Sequence, residues 1–300
     1  MKRFRLLVTI ASIVAGVGQL AAVEPYTVDD RNNVISENFN SMAETLVLPA
    51  HWAVTTVTST DARQTSLWTD GVGEVERVGG VSLASNAKCT SYNFGNTDGT
   101  DRCVGGITTG GKSAEAIKSI NVMTAITNGS DKDIESFTLS YSVKQFRIGT
   151  RDFRVALYTT KNIESTGNIM NETTRVAVAA GEAVAGAETV PINTFKVEGQ
   201  TIGNKTEAVS LKAGSTLYLQ WNISVSSGAA AGSAPALGID DVVITANYGQ
   251  DAAVNDILVD AQDGKATYYD LTGKQVRNEH LTPGLYIKRQ GAKTGKVFVK

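Results

Sequence analysis

The sequence predicts an all-β protein, a jelly-roll-type antiparallel β-sandwich with a small C-terminal β domain. Three observations carry that expectation. Apolar and polar residues alternate over long stretches, turn-forming clusters of Gly, Asn, Asp and Ser recur between them, and no helical period lasts longer than a turn or two. Strict alternation marks strands buried on one face, as packed antiparallel sheets require. A chain of 300 residues, 42% hydrophobic and with a formal net charge of -2, is large enough for one sizeable core and a smaller second unit. Its balance of 28 Lys and Arg against 30 Asp and Glu argues against nucleic acid as a partner, because phosphate binding needs a concentrated basic face.

The amino terminus, "MKRFRLLVTIASIVAGVGQLAAVEP", sets Lys2, Arg3 and Arg5 ahead of an apolar stretch from Leu6 to Leu20, followed by Ala21 and Ala22. That order is a secretory signal peptide over residues 1–22, with cleavage near Ala22. A retained anchor is the lesser reading, since the stretch is short for a span of ~20 residues and contains Gly16, Gly18 and Gln19. No cysteine near the cleavage site offers a lipid anchor, and no later stretch could cross a bilayer as a helix, so no transmembrane segment is expected after cleavage.

The sandwich is expected over residues 30–248. Its β-runs are Trp52 to Thr58, Lys88 to Phe94, Ser119 to Ile126, Phe153 to Thr159 and Val190 to Val197. Two longer runs show the period best. "IESFTLSYSVKQF" puts Phe137, Leu139, Tyr141 and Val143 on one face and Thr138, Ser140, Ser142 and Lys144 on the other; "TLYLQWNISV" does the same with Leu217, Leu219, Trp221 and Ile223. Trp221 is therefore read as core. The small-residue stretches "NIESTGNIMNETTRVAVAAGEAVAGAE" and "SSGAAAGSAPALG" read as mobile loops. After Ala246 the polar "NYGQDAAVND" marks a boundary near residue 250, and four short β-runs follow over residues 255–300.

Cys89 and Cys103 bracket "CTSYNFGNTDGTDRC", a hairpin with its turn at Asn96, Asp98 and Gly99. Such a hairpin is expected to pair them as a disulfide, closing a loop of about 15 residues at roughly 3 kcal/mol in an oxidising compartment. Two free buried thiols are the alternative.

The stretch "ALGIDDVVIT" starts a β-branched strand with Asp240 and Asp241 side by side. Neighbours on a strand point to opposite faces, so the two cannot serve as acid and base on one bond. The inward one must be compensated. Either a structural calcium does so, with oxygen ligands from Asp240, Asp241, Glu37, Asn40 and main-chain carbonyls, or hydrogen bonds to loop amides or to Arg147 do.

Catalytic signals are few. His51 and His280 are not in metal-ligand spacing, and "GGITTGGKS" lacks the first glycine and the strand-to-helix setting of a phosphate loop. Glu74 and Glu76 in "GEVERVGG" share a face without a third acid, which reads as a solvated hairpin. Sugar rings stack on exposed aromatics, and Trp68, Tyr92 and Tyr158 are the candidates for outward positions.

The last block, with its "YDLTGK", "LTPGLYI" and "KVFVK", resembles the carboxy-terminal sorting domain of the type IX secretion system; Asp270, Gly273, Gly284 and Tyr286 fall in the family's order. That resemblance implies a diderm bacterium, passage through the periplasm to the outer surface, and contact with the secretion machinery. From Glu37 to Ala246, "ENFNSM", "LPAHWAV", "SYNFGNTDGTDRCVGG", "SYSVKQFR" and "ALGIDDVVIT" resemble the secreted bacterial jelly-roll modules that accompany extracellular hydrolases and adhesins. They are similar, more loosely, to MAM-type sandwiches. Several such relatives hold a cation between first and last strands, although here Asn38 and Asn40 flank Phe39 where an acid is expected. The function so implied is a non-catalytic secreted or cell-surface binding or adhesion module, with a glycan or a host surface protein as its partner. A secreted hydrolase would need a cleft holding two carboxylates, and a fimbrial subunit an exposed edge strand.

Overall fold

A computed structural model describes residues 23–58, 64–79, 83, 87–95, 100–109, 116–169, 174–181, 191–202, 209–226, 233–249, 266–290 and 293–300. The signal peptide, the turn at 96–99, the glycines of "GGKS" and the boundary segment after Gly249 lie outside those residues. The chain divides into two compact units between Tyr248 and Gly249.

In chain order the strands of the first unit are β1 (Tyr26–Val28), β2 (Val34–Glu37), β3 (Trp52–Thr58), β4 (Arg77–Gly79), β5 (Ser91–Gly95), β6 (Arg102–Gly106), β7 (Ile117–Asn128), β8 (Ile134–Arg147), β9 (Phe153–Thr160), β10 (Asn168–Ile169), β11 (Val176–Val178), β12 (Asn193–Ile202), β13 (Thr216–Val225) and β14 (Ala236–Tyr248). One sheet runs β1-β7-β13-β9-β10, with β3 also on β7 and β11 also on β9; the other runs β12-β8-β14-β6-β5-β4, with β2 also on β14. From β7 to β9, and again from β12 to β14, successive strands alternate between the sheets, so neighbours in sequence face each other across the core. β1 precedes residue 30 yet pairs in parallel with β7, Tyr26 opposite Ile126, and so extends the sandwich toward the amino terminus.

The alternation reads through to packing. Phe137, Leu139, Tyr141 and Val143 of β8 and Leu217, Leu219, Trp221 and Ile223 of β13 are all buried. Trp221 stacks on Trp52 with centroids 5.7 Å apart and meets Tyr141 edge-on at 5.9 Å, while Phe39 meets Trp52 at 4.8 Å. Each such side chain contributes about 1.5–3 kcal/mol through removal from water.

The polar face of the first sheet is not wet where alternation alone would leave it. The segment from Gln64 to Asp70 folds over Asn121, Gln220 and Asn222, which are buried. Their amides are used: Gln220 Nε2 donates to the carbonyls of Ser66 at 3.1 Å and Thr166 at 2.6 Å, and Asn222 Nδ2 donates to Gln64 O at 3.1 Å and Asn121 Oδ1 at 2.8 Å. A second departure concerns the stretch read as a mobile loop after Asn162. It forms β10 and β11, and Val176 and Val178 are buried against β9.

The expected disulfide is absent, and the register explains why. β5 and β6 pair with Phe94 opposite Cys103, which leaves Cys89 five positions further along. At ~3.3 Å per strand residue that is about 16 Å, against the ~7 Å Cα separation a disulfide tolerates. Cys103 is buried and Cys89 half-buried, each as a free thiol.

The second unit is a sheet of four strands, β15 (Thr267–Tyr269), β16 (Gln275–Val276), β17 (Gly284–Gln290) and β18 (Lys293–Val299), in the order β16-β15-β17-β18. The Asp270 carboxylate closes its first turn, accepting from Thr272 N and Lys274 N at 2.9 Å and from Thr272 Oγ1 at 2.6 Å, with Gly273 at φ +86°. Tyr286 is buried and donates its hydroxyl to Thr282 O at 3.0 Å.

Candidate functional site

Two places in the sandwich gather functional side chains. The first is the bulge in β14. This strand follows β8 as far as Asp240 opposite Ser142, then resumes with Val243 opposite Ser140, so one extra residue is inserted. Asp241 takes φ +50° to accommodate it. Its side chain turns to solvent, while that of Asp240 is 0% exposed.

Asp240 is compensated by Lys144. Gly238, not Asp240, lies directly opposite Lys144, so the pair is a diagonal across adjacent strands. The Lys144 ammonium forms an ion pair with Asp240 and donates to both oxygens of Asp101 at 2.7 and 2.8 Å. The backbone N–H of Asp241 donates to Asp240 Oδ1 at 2.6 Å. Burial lifts the Asp240 carboxyl to about 7, although Lys144 pulls it down. Burial also opposes the charge on Lys144, but the two carboxylates outweigh it and hold the ammonium above the ordinary lysine value.

The residues expected as calcium ligands each have partners within the protein. Glu37 does lie opposite Val242, next to the bulge, but its Oε1 accepts the N–H of Phe39 at 2.7 Å. Asn40 Oδ1 accepts the N–H of Arg102 at 2.7 Å, and Asp241 Oδ2 accepts Ser142 Oγ at 3.3 Å. Among the described residues no group of three or more His, Cys, Asp or Glu could hold a metal. Arg147, the other expected partner, donates to Ala234 O at 3.0 and 2.7 Å instead. Lys144 escaped sequence reading because alternation placed it on the polar face, and only the register of β14 brings a carboxylate to it.

The second place is a cleft of about 530 Å³ beside β3. Thr55, Thr56, Ser66, Asp70, Glu74 and Glu76 line it together with the apolar Val54, Val57, Leu67 and Val72. Its base is held by the buried amides described above and by Thr55 Oγ1 against Ser66 Oγ at 2.7 Å. Alternation places Glu74 and Glu76 on one face, and both reach the cleft. Asp70, which joins them, comes from a 3-10 turn over Trp68–Asp70. A hydrogen bond from Lys88 at 2.6 Å holds Glu76 below the usual carboxylate range.

The expected aromatic platform is not formed. Trp68 is 5% exposed, because its turn presses the indole onto Tyr218 at 5.7 Å. Tyr92 is 3% exposed, stacked on Phe94 at 5.0 Å with its hydroxyl donating to Lys88 O at 3.0 Å. Tyr158 is half-buried and its hydroxyl accepts from Arg154 Nη2 at 3.1 Å.

The fold and the cleft define an all-β two-sheet sandwich with a hydroxyl- and carboxylate-lined surface site. No family model matches the chain, and no curated protein does. Among solved structures it is similar to the K3 cleaved adhesin domain of Lys-gingipain from Porphyromonas gingivalis W83, with 14% identity, 71% of this chain and 99% of that one covered, and a TM-score of 0.36. The K1 cleaved adhesin domain of the same protein gives 14% identity, 71% and 98% coverage, and a TM-score of 0.37.

Proposed function

We propose that this chain is a non-catalytic, secreted or surface-displayed binding module, and that its ligand is a glycan held in the cleft beside β3. The observation that carries the reading is the cleft itself. Its volume is in the range of small-molecule sites, its base is fixed by buried hydrogen bonds, and its walls offer hydroxyls and carboxylates in the mixture a polyol can satisfy. Recognition is then polar, since Trp68 and Tyr92 are packed away from solvent.

Lys88 holds Glu76 ionised, ready to accept hydrogen bonds from the hydroxyls of a ligand. Export belongs to the same proposal: the signal peptide leads the chain to the periplasm and the tail unit delivers it to the outer surface. There a glycan-bearing host or cell-surface protein is its partner.

A glycan array probed with the purified full chain tests the reading. Binding to a defined set of glycans is expected, and Glu74→Ala is expected to weaken it about tenfold or more, as losing one charge-assisted hydrogen bond of ~1.5–3 kcal/mol requires. Glu74 is exposed, so the melting temperature of that variant should match the wild type. No binding across the array, or cleavage of a bound glycan, sinks the proposal.

A further inference from the structure

We propose that Lys144 and Asp240 join covalently, forming an amide between Lys144 Nζ and Asp240 Cγ that staples β8 to β14. Four groups around one buried point carry the inference, and the cleft has no part in it.

The nucleophile is the Lys144 amine. Its side chain is 9% exposed and already paired with Asp240, which is 0% exposed. Water therefore does not compete for the carboxyl carbon, and the reacting groups are held as neighbours by two hydrogen-bonded strands. The electrophile is Asp240. Its Oδ1 already accepts the Asp241 N–H at 2.6 Å, which is where negative charge would gather when nitrogen adds to Cγ. The bulge makes that donor available, because Asp241 at φ +50° points its N–H back at the preceding carboxyl.

Asp101 is the proton carrier. Both its oxygens contact Nζ, at 2.7 and 2.8 Å, and its side chain is 34% exposed. In the step, the ammonium passes one proton to its partner Asp240 Oδ2, which makes that carboxyl neutral; the freed lone pair forms the Nζ–Cγ bond, and Asp101 takes a second proton from the nitrogen. A tetrahedral centre results, with its oxyanion on the Asp241 N–H. The Cγ–Oδ2 bond then breaks, and Oδ2 leaves as water with protons drawn from Asp101 and from the nitrogen. One C–N bond is made, one C–O bond is broken and one water is released, with no oxidant or reductant.

Mass spectrometry of the full chain tests the proposal. The expected result is a branched tryptic species joining the peptide that carries Lys144 to the peptide that carries Asp240, and an intact mass lower than the sequence mass by one water. Lys144→Arg keeps the cation but has no amine to acylate, so its mass should return to the full value and its melting temperature should fall by about 10 °C, as loss of a long-loop cross-link implies. Asp101→Ala should slow the loss of water on the order of a hundredfold in freshly synthesised chain, the usual contribution of a positioned proton carrier. Lys144 and Asp240 recovered in separate peptides from aged wild-type protein would overturn the amide. So would loss of water that persists in Lys144→Arg. Should either variant fail to fold, the branched peptide in the wild type still decides the matter.

Discussion

Asp240 shows how one buried carboxyl links the residue scale to pH. In Lys144→Arg no amide can form, and Asp240 keeps a group that titrates. Beside Lys144 burial lifts this carboxyl from 3.8 to about 7, and the same burial acts on it in the variant, so above the unfolded value the folded state holds a proton that the unfolded state has released. The stability it contributes is complete below about 3.8 and is lost as pH rises through the raised folded value. In an amide-linked wild type this carboxyl no longer titrates. Calorimetry across that window should give a melting temperature that falls with rising pH in Lys144→Arg and stays level, relative to it, in the wild type. Parallel curves would remove Asp240 as the titrating group. Glu76 acts with the opposite sign: its lowered carboxyl adds stability at neutral pH that is lost on acidification. That term is small, because Lys88 and Glu76 are about half exposed, at 53% and 46%, and surface pairs contribute ~1 kcal/mol or less.

At the scale of elements, what a sequence reveals is period, and what it conceals is register. β13 spans Thr216–Val225, the run that alternation marks, and β3 spans Trp52–Thr58, the run that β-rich composition marks, since neither signal needs a partner strand to be recognised. Neither the expected Cys89–Cys103 disulfide nor the expected calcium set can be fixed from period alone, for a shared reason. Both depend on which residue of one strand stands opposite which residue of another, and a turn displaced by a few residues or a one-residue bulge changes that without altering either strand's period. Lys144 is the converse, a site residue hidden in a polar alternation. The pairing of Phe94 with Cys103 has a direct chemical consequence. Alkylation of the unfolded, unreduced protein with iodoacetamide should label both Cys89 and Cys103; resistance of the pair to labelling until reductant is added would show that the hairpin has a different register. The edge of the second sheet is likewise decided by register. Among the described residues β12 pairs with β8 alone, and it shifts register between Val197 and Gln200 around Gly199 at φ +57°, with Lys196 and Glu198 exposed. A bulged, charged edge resists addition of a further strand, which disfavours the fimbrial alternative.

For the molecule as a whole, the division after Tyr248 separates two ways of being stable. The sandwich has an extensive dry core, whereas in the tail sheet Tyr286 is the buried hydrophobic side chain among the described residues and Leu271, Leu285 and Phe298 remain exposed at 64%, 36% and 63%. A sheet so thinly covered draws its order from turn chemistry such as the Asp270 cap. Removing residues 249–300 should therefore leave the sandwich melting within about 2 °C of the full chain, a shift worth under ~1 kcal/mol in a domain of this size. The proposed Lys144–Asp240 amide would be kept, because all four of its groups lie before Tyr248. Display is expected to separate from folding: the truncated protein should reach the periplasm folded and remain there, as fractionation with an antibody to the sandwich would detect. Normal surface display of the folded truncate would end the sorting role of the tail, and a truncate that unfolds would show instead that the small sheet is part of the sandwich's own stability.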